Sequence, residues 1–198
     1  VHNLAFQGWF PAELRNALGL PPEAMSIDAA EYFGGIGFLK AGLSFADRIT
    51  TVSPTYAMEI CTPEGGMGLD GLLRARASAL SGIMNGIDVS VWNPRTDAHL
   101  AAHYSSEALE RRSQNKTALR VRFGLTGESG GMLFGIVSRL TEQKGIDLVI
   151  DALPRLLAEG ADLVVLGSGD ASLEQAFRTA AESAPGRVGF VVGYDEAL

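Results

Sequence analysis

Apolar positions are patterned most regularly in the last third of the chain. Met132 to Ser138 is an apolar, partly β-branched run, and Gly145 to Ala158 repeats apolar residues at helical spacing. The alternation continues with a strand over Ala161 to Leu166, a helix over Ala171 to Ala184 and a strand over Arg187 to Val192. Strand–helix–strand–helix–strand with short loops is the pattern of a parallel α/β unit. Three strands make only half of a doubly wound sheet, so residues 131–198 read as the first half of a Rossmann-like domain.

The first ninety residues carry weaker periodicity. Residues 1–36 read as irregular, with one short helix over Ala12 to Leu18 stopped by Gly19. Phe38 to Ala46 has an apolar helical face, and Asp47 to Ser53 is a compact strand. Ser53-Pro54 is a helix start, with Ser as N-cap and Pro in the first turn, and predicts a helix over Thr55 to Ile60. Gly65 to Gly68 reads as a loop, Leu69 to Ala77 as a helix and Ile83-Met84 as a short strand. The expected organisation is therefore one α/β piece over 1–90, a connection over 91–130 and the second α/β piece over 131–198. In the connection, Glu107 to Phe123 predicts a basic amphipathic helix, and Gly127 to Gly131 a flexible stop. Ligands of open α/β sheets bind at the carboxyl ends of the strands, so a cleft between two such domains is the default site.

Composition narrows the function. The 198 residues are 46% hydrophobic and 20% charged, with a formal net charge of −7. Residues 1–90 hold 5 basic and 9 acidic side chains and residues 91–198 hold 11 and 14. Neither half is a basic module, which disfavours nucleic acid as a partner. No run of about 18 apolar residues predicts a membrane helix. A single cysteine, Cys61, excludes an internal disulfide and fits a reducing compartment. The 24 glycines mark many turns and close backbone approaches. The start Val1-His2-Asn3-Leu4 is neither an initiator Met nor a signal peptide, and Gly193 to Leu198 looks like a helix at its first turn. Both ends read as those of a piece of a longer chain.

The stretch with most chemistry is Ser138-Arg139-Leu140-Thr141-Glu142-Gln143-Lys144-Gly145. It places two cations between the carboxyl end of a strand and the start of a helix, where free N–H groups add partial positive charge. That arrangement suits a diphosphate, Arg holding oxygens bidentately and Lys acting as a point charge. The competing reading is two solvated surface cations. Gly167-Ser168-Gly169-Asp170 reads as a tight strand-to-helix turn with Asp170 as N-cap, or as a backbone wall beside a nucleotide. Taken alone, His2 reads as structural and Asn85-Gly86 as a turn. His99 and His103 fall four apart on an expected helix and read as surface residues, with no third metal ligand nearby. No Walker A loop, Gly-x-Ser-x-Gly elbow or Cys–His pair is present.

Several stretches together resemble one family. Val1-His2-Asn3-Leu4-Ala5-Phe6-Gln7-Gly8, Phe38 to Gly42, Thr51 to Ala57, Gly82 to Pro94, Asn115-Lys116, Ser138 to Gly145 and Gly167 to Asp170 occur in the order found in bacterial glycogen synthases and plant starch synthases. The resemblance covers essentially the whole chain. It implies a GT-B fold of two Rossmann-like domains with parallel sheets, each only partly present here. It implies retaining transfer of glucose from ADP-glucose to the non-reducing end of an α-1,4-glucan such as glycogen, without a metal or other cofactor, in the bacterial cytoplasm. By the same resemblance Arg139 and Lys144 hold the donor diphosphate, and His2 lies beside the donor glucose. Asn85 contacts that sugar, and Gly167 and Gly169 lie near the nucleotide. The family's Lys-Thr-Gly-Gly and Glu-x-Cys-Gly segments are absent from these residues, so the 198 residues alone are expected to be inactive. Two rival readings are a GT-B transferase with another nucleotide sugar and a non-catalytic glucan-binding remnant. The His2-to-Gly8 block argues against the first.

Overall fold

A computed structural model describes residues 1–126 and 131–196. The chain divides into two compact units, Val1–Ile87 and Asp88–Leu198. Residues 91–130 fall within the second of them.

In the first unit, residues read as irregular form a small antiparallel sheet of β1 (Trp9–Pro11), β2 (Glu31–Tyr32) and β3 (Gly35–Gly37), in the order β1-β3-β2. These strands are two or three residues long and rich in Gly, too short for alternation to register. The expected helix over 12–18 is a 3-10 turn, Ala12–Arg15, and Gly19 follows at φ +66°. Helix α1 (Phe38–Phe45) begins directly after β3, its first amides donating to Gly8 and Gln7 carbonyls at 3.1 and 3.0 Å. Its far end is held by the Arg76 guanidinium, which donates to the carbonyls of Leu43, Ser44 and Ala46.

Strand β4 (Ile49–Thr51) leads into α2 (Pro54–Glu59). Ser53 Oγ accepts from the Tyr56 amide at 2.9 Å, the capping expected from Ser-Pro. The loop expected at 65–68 is in part a one-turn helix, α3 (Pro63–Gly66). Thr62-Pro63 repeats the same start signal, with Thr62 Oγ1 accepting from Gly65 N at 3.1 Å. Helix α4 (Asp70–Ala75) follows, then β5 (Leu80–Gly82), which pairs with β4 in parallel. The strand expected at Ile83-Met84 thus lies earlier in the chain. Ile83 N still donates to Thr51 O at 2.8 Å, extending the ladder by one bond. Leu4, Leu43, Ile49, Ile60, Leu69 and Leu73 form the core of this unit.

In the second unit the basic helix is α5 (Arg112–Arg122), preceded by a 3-10 turn at Leu109–Arg111. It begins later than expected because Glu107 is taken up by the loop before it. The Glu107 carboxylate receives hydrogen bonds from Ser106 at 2.9 Å and Arg95 at 2.6 Å. The Ser105 and Ser106 hydroxyls, and to a lesser degree the Arg95 charge, lower its pKa to about 2. His99 and His103 are exposed, as expected, but lie outside any helix, His99 in a turn and His103 in an irregular segment. Asp97 organises them, its carboxylate accepting from His99 N at 2.9 Å. The stop expected over 127–131 falls mostly outside the described residues, as does the end of the helix expected at 193–198.

Strands β6 (Leu133–Val137), β7 (Asp162–Gly167) and β8 (Val188–Val192) form one parallel sheet in that order, joined by α6 (Ile146–Ala158) and α7 (Ala171–Ser183). Every residue of the central strand β7 is buried. Leu140, Ile146, Leu153, Leu163, Val165, Phe177 and Val188 make the core. Asp162, 1% exposed, opens β7 and is paired with Arg120 of α5 and with Arg187, which precedes β8. One buried carboxylate therefore fastens α5 to the sheet.

Candidate functional site

The predicted residues group by unit. In the first, β4 and β5 are parallel, and their carboxyl ends open onto a cavity of about 230 Å³. His2, Thr50, Thr51, Val52, Ile83 and Asn85 line it. His2 and Asn85 stand 83 positions apart in sequence, and the fold brings them to one cavity.

Each is placed by a neighbour with a clear packing reason. Two residues after His2, Leu4 is buried in the core, and its amide donates to the Tyr56 hydroxyl at 3.2 Å. Asn3 closes the turn between them, its carboxamide oxygen accepting from Ala5 N at 2.8 Å. Asn85 lies just beyond the last ladder bond of Ile83, where the chain leaves the sheet. Both His2 and Asn85 are exposed and available to a ligand. The cavity is smaller than the ~300 Å³ at which pockets for drug-sized ligands begin. Its dimensions suit one small polar ring with an imidazole and a carboxamide at its edge.

In the second unit the loop after β6 is held against the loop after β7. Ser138 N donates to Leu166 O at 3.2 Å, Leu140 N to Ser168 O at 3.0 Å, and Asp170 N to Leu140 O at 2.9 Å. Leu140 and Gly169 form a parallel bridge beyond the strand ends. Leu140 is fully buried and anchors the segment, and Arg139 beside it is exposed. Lys144, also exposed, closes a 3-10 turn at Glu142–Lys144, and Gly145 at φ +66° redirects the chain into α6. No side chain caps the α6 N-terminus. Among the described residues neither Arg139 nor Lys144 has an ion-pair partner, as is also true of Arg15, Arg48, Arg76, Arg111, Arg112 and Lys116. Two uncompensated cations thus sit at the carboxyl end of a parallel strand, on the approach to an open helix N-terminus, where an anion is most favoured.

Gly167 and Gly169 have a packing explanation. A Cβ on Gly167 would overlap the Ser138 carbonyl oxygen, and one on Gly169 the Leu140 carbonyl oxygen. The glycines let the two loops touch backbone to backbone, which sets the position of Arg139. Asp170 occupies the N-cap position of α7 without a side-chain cap bond. The Glu174 carboxylate instead reaches back to accept from Gly169 N at 3.0 Å.

Asn115-Lys116, part of the family pattern, is likewise structural. The Asn115 carboxamide bonds both the amide and the carbonyl of Ala102 at 2.8 Å, and Lys116 donates to Gly131 O. A cavity of about 410 Å³ beside this pair is bordered by Tyr104, Arg112 and Gly135 and contains none of the predicted site residues. Sequence reasoning missed Thr51 as a wall of the first cavity. It lay inside a strand pattern, and only the parallel pairing with β5 reveals where its strand ends.

Among the described residues no group of three or more His, Cys, Asp or Glu forms a metal-binding cluster, and no helix is long and apolar enough to cross a membrane.

The comparisons with known proteins agree with one another. A family profile for the starch synthase catalytic domain matches residues 1–75. A glycogen synthase of Rhodopseudomonas palustris is 61% identical over all 198 residues, which span 41% of its length. A glycogen synthase of Acidiphilium cryptum gives the same identity and the same coverage. Among solved structures, the catalytic domain of starch synthase IV from Arabidopsis thaliana, bound to ADP and acarbose, superposes with a TM-score of 0.87 at 34% identity. That match covers 99% of this chain and 41% of the other. The chain therefore spans about two-fifths of the length of the relatives it matches.

Proposed function

We propose that the protein containing this chain, which is similar along its whole length to glycogen synthases, is a glucosyltransferase of glycogen biosynthesis. It transfers glucose from ADP-glucose to the non-reducing end of an α-1,4-glucan and retains the anomeric configuration. The observation that carries the reading is the uncompensated pair Arg139 and Lys144 beside the open N-terminus of α6. A relative bound to ADP and acarbose supports both halves of it, a nucleoside diphosphate and an oligosaccharide.

In the reaction the bond from the anomeric carbon to the diphosphate oxygen breaks, and its electron pair leaves with ADP. The acceptor 4-hydroxyl forms the new bond to that carbon, and its proton passes to the departing phosphate. Negative charge builds on the diphosphate as the bond breaks, and preorganised cations there lower the barrier most. Arg139 and Lys144 supply that charge, so the reading calls for no metal ion. His2 and Asn85 hold the transferred glucose by its hydroxyls at the first unit's cavity. Gly167 and Gly169 act through the loop packing that presents Arg139. Relatives from bacteria support a cytoplasmic bacterial enzyme.

The test is donor competition with the full-length protein and a malto-oligosaccharide acceptor. ADP-glucose should be used in preference to UDP-glucose and GDP-glucose. Preference for another nucleotide sugar, or glucan binding with no transfer from any donor, would overturn the reading.

A further inference from the structure

Among the described residues, two buried side-chain polar atoms lack a hydrogen-bond partner, Gln7 Oε1 and Thr51 Oγ1. Of these two residues only Thr51 lines the cavity that holds His2 and Asn85. Thr51 is 4% exposed and is the last residue of β4, at the carboxyl end of a parallel strand. Ile49, two positions earlier and on the same face of the strand, packs in the apolar core. Valine would fill the same shape there without a hydroxyl to desolvate. Burying a hydroxyl unpaired costs free energy that a partner recovers.

We propose that Thr51 is a further substrate-binding residue, its hydroxyl exchanging a hydrogen bond with one hydroxyl of the sugar held by His2 and Asn85. This rests on the donor reading given above. The bound sugar pairs a group that the free protein leaves unpaired. Thr51 therefore contributes to selection of the sugar rather than to stability of the fold.

The experiment uses the full-length protein with Thr51→Val, Thr51→Ser and, alongside, His2→Ala. Thr51→Val should lower kcat/KM for ADP-glucose by about fivefold to tenfold. Its thermal midpoint should match or exceed that of the wild type. Thr51→Ser should recover most of the loss. Across ADP-linked 2-, 3-, 4- and 6-deoxyglucose donors, the penalty of Thr51→Val should vanish for one analogue, the one that lacks the partner hydroxyl.

An unchanged kcat/KM in Thr51→Val would overturn the proposal, and so would an equal penalty against every deoxy donor. A Thr51→Val protein that melts far below the wild type would also overturn it, since the hydroxyl would then have a partner in the free fold. If His2→Ala loses donor turnover while Thr51→Val does not, only this inference fails. If His2→Ala keeps full turnover, the donor reading fails with it.

Discussion

Gly167 and Gly169 illustrate how a single missing side chain positions a charged one. Their Cα atoms face the Ser138 and Leu140 carbonyls so closely that no Cβ fits. Gly167→Ala must therefore push the 138–140 segment off the end of β7. We expect a loss of about 1–3 kcal/mol in unfolding free energy, the usual cost of overpacking a filled site. Denaturant unfolding of the full-length protein measures it, and an unchanged stability would contradict the packing described. At this scale the sequence was legible in an uneven way. Arg139 and Lys144 were marked by their place between a strand and a helix, which is local information. His2 and Asn85 were not, because their common cavity depends on long-range contacts, Leu4 N to the Tyr56 hydroxyl and Ile83 N to Thr51 O. Only the family pattern singled them out. Thr51 opens one of the family-pattern stretches but received no role there, since nothing local separates a strand's last threonine from its interior.

Among the elements, those with a long apolar period were legible almost to the residue. The order β6-α6-β7-α7-β8 follows from burial alone, because β7 is covered on both faces and α6 and α7 each offer one apolar stripe. Fully burying Phe177 of α7 contributes about 2–3 kcal/mol. The exposed Arg155–Glu159 pair on α6 adds only about 0.3–0.5 kcal/mol, so packing and not surface charge fixes these helices. Short elements were not legible. The strands β1 to β3 have too few residues for a period, and the helix expected from Glu107 lost its first turns to hydrogen bonds with Arg95 and Ser106. The link between α5 and the sheet was also hidden, since it depends on the buried Asp162. Asp162→Asn removes the charge that offsets Arg120 and Arg187, and both guanidinium groups lie largely out of solvent. Breaking such a network costs about 3–5 kcal/mol. Thermal unfolding should show the transition of this unit lowered, with the rest of the protein little changed. A variant as stable as the wild type would mean that α5 is held by packing alone.

For the whole molecule, each unit taken by itself presents different chemistry. The first offers an imidazole and a carboxamide around a small cavity. The second offers two cations and an open helix end. In the proposed reaction the charge of Lys144 acts on the departing diphosphate and not on the glucan. The most direct measurement is turnover and glucan binding of Lys144→Ala in the full-length protein, determined side by side. Turnover with ADP-glucose should fall by about a hundredfold to a thousandfold, as when a preorganised transition-state donor is removed, with glucan affinity unchanged. Unchanged turnover, or an equal loss of turnover and glucan affinity, would contradict it.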